Sequence, residues 1–157
     1  MNQNSELIKT FYIAFKSGDY KTMQNCYADN AVFNDEVFKG LNSAQVRCMW
    51  EMLLKRSKDL NLEFKNIKAD EFRGSAEWIA TYTFSATKQK VVNNISAYFE
   101  FENGKILNHT DRFNFYKWAR QALGFKGLLL GWTVFLKKKI QEKAMKNLHE
   151  FMNKSSG

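Results

Sequence analysis

Apolar side chains in the first sixty residues recur at the three- and four-residue spacing of amphipathic helices. This spacing predicts a helix over residues 4–17, a shorter helix over residues 19–30, and a third helix over residues 41–60. Ser43 is the expected N-cap of the third helix, because a serine hydroxyl accepts a hydrogen bond from a free backbone N–H. The short run AVFND, residues 31–35, predicts a strand between the second and third helices.

After Asn61 the apolar period changes from 3.6 to 2, which is typical of strands with one buried face. The dipeptide Asn103-Gly104 predicts a tight hairpin turn before the last of these strands. Helices followed by antiparallel strands indicate an α+β fold, a roll in which a curved, mainly antiparallel sheet packs against the N-terminal helices. The four predicted strands are residues 62–73, 75–87, 91–102 and 104–115.

The last predicted strand carries two polar side chains on its apolar face. Residues two apart share a face, so His109 and Asp111 are expected to lie beside Phe113. Leu107 is expected on the same face, earlier in the strand. An imidazole and a carboxylate on a buried aromatic face cost free energy unless they are paired or used. Asp111 is therefore a candidate general acid or base, and His109 a proton acceptor that Asp111 orients. The structural alternatives are an Asp111 that only pairs with backbone or a nearby arginine, and a histidine that only packs.

Composition favours one globular domain with an aromatic interior. The chain has 157 residues, long enough to bury a core, and holds 14 Phe, 6 Tyr and 4 Trp. So many rings favour a cavity that accepts a small hydrophobic molecule. Residues 1–116 carry 15 basic and 14 acidic side chains, whereas residues 117–157 carry 9 and 2. Because the positive charge belongs to the C-terminal part, we do not expect nucleic-acid binding.

Other sequence signals narrow the class of protein further. The N-terminal residues lack the pattern of a signal peptide, and the longest apolar run, residues 127–136, is half the ~20 residues of a membrane-spanning helix. We therefore expect a cytoplasmic protein, in which Cys26 and Cys48 are reduced packing residues. The sequence has no histidine–cysteine cluster and no glycine-rich phosphate loop, so it implies no metal, flavin or nucleotide cofactor.

The C-terminal part predicts a basic, amphipathic helical extension. We divide the chain into a domain of residues 1–116 and an extension of residues 117–157. The favoured interpretation is that the apolar stripe of the extension packs on the domain or on a second copy, with its lysines in water. The alternative is that residues 125–152 contact an anionic membrane surface. The stripe consists of Leu136, Ile140, Ala144, Leu148 and Met152.

The order of elements and three segments resemble the nuclear transport factor 2-like cone fold. The segments are FYIAFKSGDY, CYADNAVFND and GKILNHTDRFNF, and the resemblance covers residues 4–124. Within that superfamily the chain resembles the branch of ketosteroid isomerases, SnoaL-like polyketide cyclases and limonene-epoxide hydrolases. The resemblance implies a homodimer formed through the open face of the sheet.

The resemblance also assigns roles to individual residues. Tyr12 takes the position of the isomerase oxyanion-hole tyrosine, and Asp35 takes that of the catalytic base. Ser96 stands where the isomerases have a second acid. Asp111 and Phe113 match the aspartate and phenylalanine in the last strand of the epoxide hydrolases, with His109 at a tryptophan position. The segment TYTFSA stands where the hydrolases supply an arginine and its partner aspartate, so neither catalytic set is complete.

These observations lead to two functional hypotheses. The first is acid–base chemistry, as an isomerase, cyclase or hydrolase, on a small hydrophobic cyclic substrate, with Tyr12 and Asp35 assisting Asp111 and His109. The second is a non-catalytic carrier of an apolar ligand, associated with a membrane through its tail. Tyr12 then only packs, and Asp35 only starts a loop. The side chains expected to bind the ligand are Trp50, Trp78, Tyr82, Phe84, Ser96 and Phe113.

Overall fold

The computed structural model describes residues 2–156, which form six helices and one six-stranded sheet. This α+β arrangement confirms the predicted fold class. The helices are α1 (Gln3–Ser17), α2 (Tyr20–Asn25), α3 (Ser43–Arg56), α4 (Phe115–Leu123), α5 (Phe125–Leu130) and α6 (Val134–Ser155). The strands are β1 (Tyr27–Asn34), β2 (Leu41–Asn42), β3 (Asn61–Ala69), β4 (Arg73–Phe84), β5 (Gln89–Glu102) and β6 (Lys105–Arg112).

The sheet is mixed and is not closed into a barrel. Its strand order is β2-β1-β6-β5-β4-β3, and all neighbours are antiparallel except β1 and β6, which run parallel. The hairpin between β5 and β6 turns at Asn103 and Gly104, whose φ angles of 51° and 74° are those of a type I′ turn. This turn confirms the sequence prediction.

The second helix is shorter than predicted, and the strand after it is longer. The helix α2 ends at Asn25, and Tyr27 already belongs to β1, where it pairs with Ile106 of β6. The backbone N–H of Ile106 donates to the Cys26 carbonyl at 2.8 Å. Pairing with β6 therefore satisfies backbone groups that the sequence pattern assigns to a helix.

The third helix begins with a capping box centred on Asn42 and not on Ser43. The Asn42 side chain accepts from the Gln45 N–H at 2.9 Å, and the Gln45 side chain accepts from the Asn42 N–H at 2.9 Å. The Ser43 hydroxyl instead donates to the Ala28 carbonyl at 2.9 Å, which fixes α3 against β1. The cap thus lies one residue earlier than expected.

The helices α1 and α3 cover the inner face of the sheet with aromatic side chains. Phe15 of α1 lies 4.9 Å from Trp50 of α3 and 5.2 Å from Trp78 of β4, measured between ring centroids. Phe11 makes a further edge-to-face contact with Trp50 at 5.8 Å. These rings form the centre of one hydrophobic core that joins helices and sheet.

The C-terminal helices pack on the rest of the molecule at several places. The side chain of Gln121 in α4 accepts from the Val92 N–H at 2.8 Å and donates to the Val92 carbonyl at 3.1 Å. Further along, Leu148 of α6 is fully buried in the main core next to α3. Lys137 pairs with Glu36 at 2.6 Å.

The division of the chain into a domain and an extension at residue 116 stays a prediction. None of the helices described in residues 2–156 is long and apolar enough to cross a membrane.

Candidate functional site

His109 and Asp111 lie together on the inner face of β6, where they are 1% and 3% exposed. His109 is opposite Phe33 of the parallel strand β1, and Asp111 is opposite Ala97 of β5. A register shift between Glu100 and Phe101 of β5 changes the alternation earlier in β6. Because of this shift Ile106 is buried in place of Leu107. The expectation that Leu107 shares the inner face with His109 and Asp111 is therefore wrong.

A chain of hydrogen bonds leads through the core to Asp111. The indole N–H of Trp50 donates to the Tyr27 hydroxyl at 2.9 Å, and that hydroxyl lies 2.7 Å from Nδ1 of His109. Nε2 of His109 lies 3.0 Å from Oδ1 of Asp111. An indole N–H only donates, so every donor is used if Tyr27 donates to Nδ1 and a neutral imidazole donates from Nε2. In this assignment Asp111 is the ionised acceptor at the end of the chain.

Five aromatic rings surround the imidazole of His109. Their centroids lie between 4.4 and 6.3 Å from the imidazole centroid, and two of the rings are stacked on it. The imidazole is therefore held in one orientation by packing as well as by its two hydrogen bonds. The rings belong to Phe11, Tyr27, Phe33, Trp50 and Phe99.

Tyr12 brings an unpaired hydroxyl to the same region. It is fully buried, and its hydroxyl has no hydrogen-bond partner within residues 2–156. Its ring lies 6.2 Å from that of Trp78, whose indole N–H lies 3.5 Å from Oδ1 of Asp111. Burial raises the pKa of Tyr12 well above its ordinary value, and the charge of Asp111 adds to the increase. The Tyr12 hydroxyl is therefore a protonated hydrogen-bond donor near a carboxylate.

Asp35 lies just after β1 and has a perturbed acidity. Burial raises the pKa of Asp35 to about 6, and the Asp111 carboxylate contributes to the increase. Two backbone hydrogen bonds act in the opposite direction, because Oδ1 accepts from the N–H groups of Val37 at 2.7 Å and Phe38 at 2.6 Å. A carboxyl group that titrates near neutral pH is suited to proton transfer.

The predicted ligand-binding side chains fall into two groups. Trp50 and Trp78 belong to the main core, close to His109 and Asp111. The other aromatic side chains of the set lie half-buried where α4 covers the ends of β4 and β5, and the indole N–H of Trp118 donates there to the Tyr82 hydroxyl at 2.8 Å. Burial raises the pKa of Tyr82. This second group consists of Tyr82, Phe84 and Phe113.

Ser96 lies on the opposite face of the sheet from His109 and Asp111, and its role in ligand binding stays a prediction. It pairs with Arg112 of β6, whereas its neighbour Ala97 pairs with Asp111. Adjacent strand residues face opposite sides of a sheet, so Ser96 lies on the outer face and Ala97 on the inner one. Ala97 is fully buried. The inner face at this point is therefore apolar.

Tyr27 belongs to this chain of hydrogen bonds, and sequence reasoning missed it. The hydroxyl of Tyr27 links Trp50 to His109, yet the sequence pattern places this residue in the second helix. The available signal is the shared inner face of Tyr27, Ala31 and Phe33, which alternate within one strand. The helical interpretation of residues 19–30 hides that signal.

Two surface grooves lie away from these residues. One runs along α6 beside Val37 and Lys39, and the other lies where β3 meets β4. Neither groove is lined by His109 or Asp111. Within the described part of the chain, no three His, Cys, Asp or Glu side chains cluster in a way that would hold a metal ion.

Several solved structures have a fold similar to that of this chain. An LEH-like epoxide hydrolase from M. tuberculosis has a TM-score of 0.61 and 20% identity, over 85% of this chain and 95% of that one. TerC, co-crystallised with polyporic acid, has a TM-score of 0.66 and 12% identity, over 78% and 100%. A protein of ketosteroid isomerase-like fold from Catenulispora acidiphila, in complex with trimethylamine, has a TM-score of 0.63 and 8% identity, over 74% and 92%. These likenesses establish the fold.

The chain belongs to the SnoaL-like domain family, whose model matches residues 8–109. This match confirms the resemblance drawn from the sequence. A comparison with curated protein sequences gave no match. The family match ends at His109, so Asp111 and the helices α4 to α6 lie beyond it.

Proposed function

We propose that the protein catalyses proton transfer on a small hydrophobic cyclic substrate, with Asp111 as the group that accepts and returns the proton. The observation that carries this proposal is the unpaired, buried hydroxyl of Tyr12, whose ring lies 6.2 Å from that of Trp78, the residue whose indole N–H lies 3.5 Å from Oδ1 of Asp111. A buried hydroxyl without a partner costs about 1–3 kcal/mol, which a substrate oxygen would recover by accepting its hydrogen bond. A donor for developing negative charge beside a base is the arrangement that such chemistry requires.

In this proposal the hydrogen-bonded chain positions the base. Trp50 and Tyr27 hold the His109 tautomer, and the Nε2 proton fixes one oxygen of Asp111. The other oxygen takes a proton from the substrate and returns it at a second carbon, while the Tyr12 hydroxyl donates to the substrate oxygen. Asp35, which titrates near neutral pH, is a second group able to exchange protons. The LEH-like epoxide hydrolase supports this class of chemistry through fold analogy.

The test compares Asp111→Asn with the unaltered chain on two probes, a β,γ-unsaturated cyclic ketone and a cyclic epoxide. Asparagine still accepts from Nε2 but is not a base, so turnover should fall by about 10²–10⁴-fold while probe binding is kept. Asp29→Asn is the matched control, because the Asp29 side chain is fully exposed. Equal turnover by the Asp111→Asn variant would exclude Asp111 as the base.

A second candidate function is non-catalytic binding of an apolar molecule. One observation favours it, namely that His109 and Asp111 are almost wholly buried among aromatic rings and line neither groove. Calorimetry with the same probes separates the two candidates. Binding that is unaffected by Asp111→Asn, without turnover of either probe by the unaltered chain, supports the carrier.

A further inference from the structure

One short segment holds most of the exposed apolar surface of residues 2–156. Seven of the 13 large apolar side chains that are exposed lie between residues 125 and 135, in α5, the following turn and the start of α6. Their exposed fractions range from 47% to 82%. We call this group the apolar tip. It consists of Phe125, Leu128, Leu129, Leu130, Trp132, Val134 and Phe135.

Two glycines explain why the large side chains of α5 point away from the domain. A Cβ atom added at Gly127 would lie 1.9 Å from the Ala119 carbonyl oxygen of α4. A Cβ atom at Gly131 would lie 3.1 Å from the Ala119 Cβ and 3.1 Å from the Tyr116 ring. The helix therefore contacts α4 through its glycine side at backbone distance. An apolar helix whose small side faces inward needs another apolar environment for its large side.

The polar groups of the turn already have partners within the segment. The indole N–H of Trp132 donates to the Leu129 carbonyl at 2.9 Å, and the Thr133 hydroxyl donates to the Leu130 carbonyl at 2.6 Å. Transfer of these groups out of water would therefore leave neither donor unpaired. The tip is thus suited to an environment that offers no hydrogen bonds.

The chain segment that contains the tip carries only positive charge, although Glu36 from the loop after β1 pairs with Lys137. Between Asp111 and Glu142 the sequence has seven basic residues and no acidic one. Lys126 and the pair Lys138 and Lys139 are exposed beside the tip, and the Lys139 ammonium lies 4.8 Å from the Phe135 ring centroid. An anionic surface would complement this charge, whereas contact between two copies through the tip would bring like charges together.

We propose that the apolar tip binds the surface of an anionic phospholipid bilayer. The seven apolar side chains enter the boundary between headgroups and acyl chains, with Trp132 at the depth that tryptophan prefers. Lys126, Lys138 and Lys139 contact the lipid phosphates. This binding is independent of the chemistry proposed for Asp111.

The test is co-sedimentation of the full chain with vesicles of equal parts phosphatidylglycerol and phosphatidylcholine, and with vesicles of phosphatidylcholine alone. The chain should bind the anionic vesicles more tightly, and added salt should weaken that binding. The double variant Trp132→Ser/Phe135→Ser should bind at least about tenfold more weakly, because two large apolar side chains no longer leave water. Phe72→Ser is the matched control, since Phe72 is 66% exposed but lies elsewhere.

A second pair of variants tests the charge. Lys138→Glu/Lys139→Glu should lose binding to anionic vesicles, whereas Lys9→Glu/Lys16→Glu on α1 should keep it. All these side chains are exposed, so thermal unfolding should show the same fold in each variant. The proposal is overturned if the unaltered chain does not bind anionic vesicles or if the tip variants bind as well as it does. It is also overturned if sedimentation without lipid shows a tip-dependent dimer that does not bind vesicles.

Discussion

At the scale of single residues, the site depends on the direction of each hydrogen bond. Trp50 can only donate, so every hydrogen-bond donor of the chain is used when the Tyr27 hydroxyl donates to Nδ1 of His109. In that assignment the imidazole donates from Nε2 to Asp111. The orientation of the carboxylate is therefore set from the interior of the protein and not from solvent.

The phase of β6 could be predicted from the sequence, and the partners of its polar residues could not. Alternation in a strand is local, so it places His109 and Asp111 on one face without knowledge of the fold. Tyr27 is 82 positions from His109, and no local pattern reports a contact at that separation. The position of Ser96 shows the same limit, because the residue opposite Asp111 in β5 is its neighbour Ala97.

The acidity of Asp35 predicts an unusual dependence of stability on pH. Its pKa is about 6 in the folded chain and 3.8 ordinarily, so between these values the folded state binds a proton that the unfolded state lacks. Stability due to this group therefore rises as pH falls through that window and is lost above pH 6. Asp35→Asn should raise the free energy of unfolding by about 2–3 kcal/mol at pH 8 and by only about 1 kcal/mol at pH 4.5.

Urea denaturation at the two pH values measures this difference. Asp59→Asn is a control of opposite sign, because hydrogen bonds from Thr83 lower the pKa of Asp59. Stability from a lowered pKa is present above pH 4, so this control variant should be less stable at pH 8. An equal gain for Asp35→Asn at both pH values would contradict the assignment.

At the scale of elements, periodicity located the long helices and strands but not the details at their ends. The strand β2 has two residues, too few to show any period. The cap of α3 lies at Asn42 because a reciprocal pair with Gln45 satisfies two backbone groups, whereas Ser43 alone would satisfy one. The register shift between β5 and β6, which leaves Leu107 of β6 without a partner residue in β5, also leaves no mark on the alternation that a sequence shows.

The contact between α4 and α5 gives a prediction at this scale. In Gly127→Ala the new methyl group would meet backbone of Ala119, which cannot rotate away. Alanine favours a helix by about 1 kcal/mol over glycine, but the contact should cost about 1–3 kcal/mol and displace α5. Hydrogen exchange should show faster amide exchange in α5. Lys126→Ala in the same helix is the control, and unchanged exchange in Gly127→Ala would contradict the close packing.

At the scale of the whole molecule, the C-terminal extension shares the core of the domain. Leu148 of α6 has no exposed surface and belongs to the same cluster as Trp50 and Phe11. The four-residue apolar stripe predicted an amphipathic helix, but an amphipathic stripe does not specify the surface that it covers. The surface that α6 covers includes α3, and the position of α3 in the fold cannot be read from the pattern within α6.

Leu148→Ala tests how far the extension contributes to global stability. Removal of a fully buried leucine side chain should lower the free energy of unfolding by about 2–5 kcal/mol. Leu129→Ala, at a site 53% exposed, should change it by less than about 0.5 kcal/mol. Guanidinium denaturation of the full chain measures both. Equal, small effects would mean that α6 is not an integral part of the core.

The parallel pairing of β1 with β6 affects how the protein is made. A ribosome completes α1, β1 and α3 long before it adds His109. Phe33 and Tyr27 therefore cannot contact His109 until most of the chain has been synthesised. Contacts between such distant segments give a high contact order, and the loop between them must close before they contribute stability. We therefore expect the site to form late in folding. Chains that are cut short before β6 keep their aromatic helices exposed, which makes them targets for chaperones and proteases.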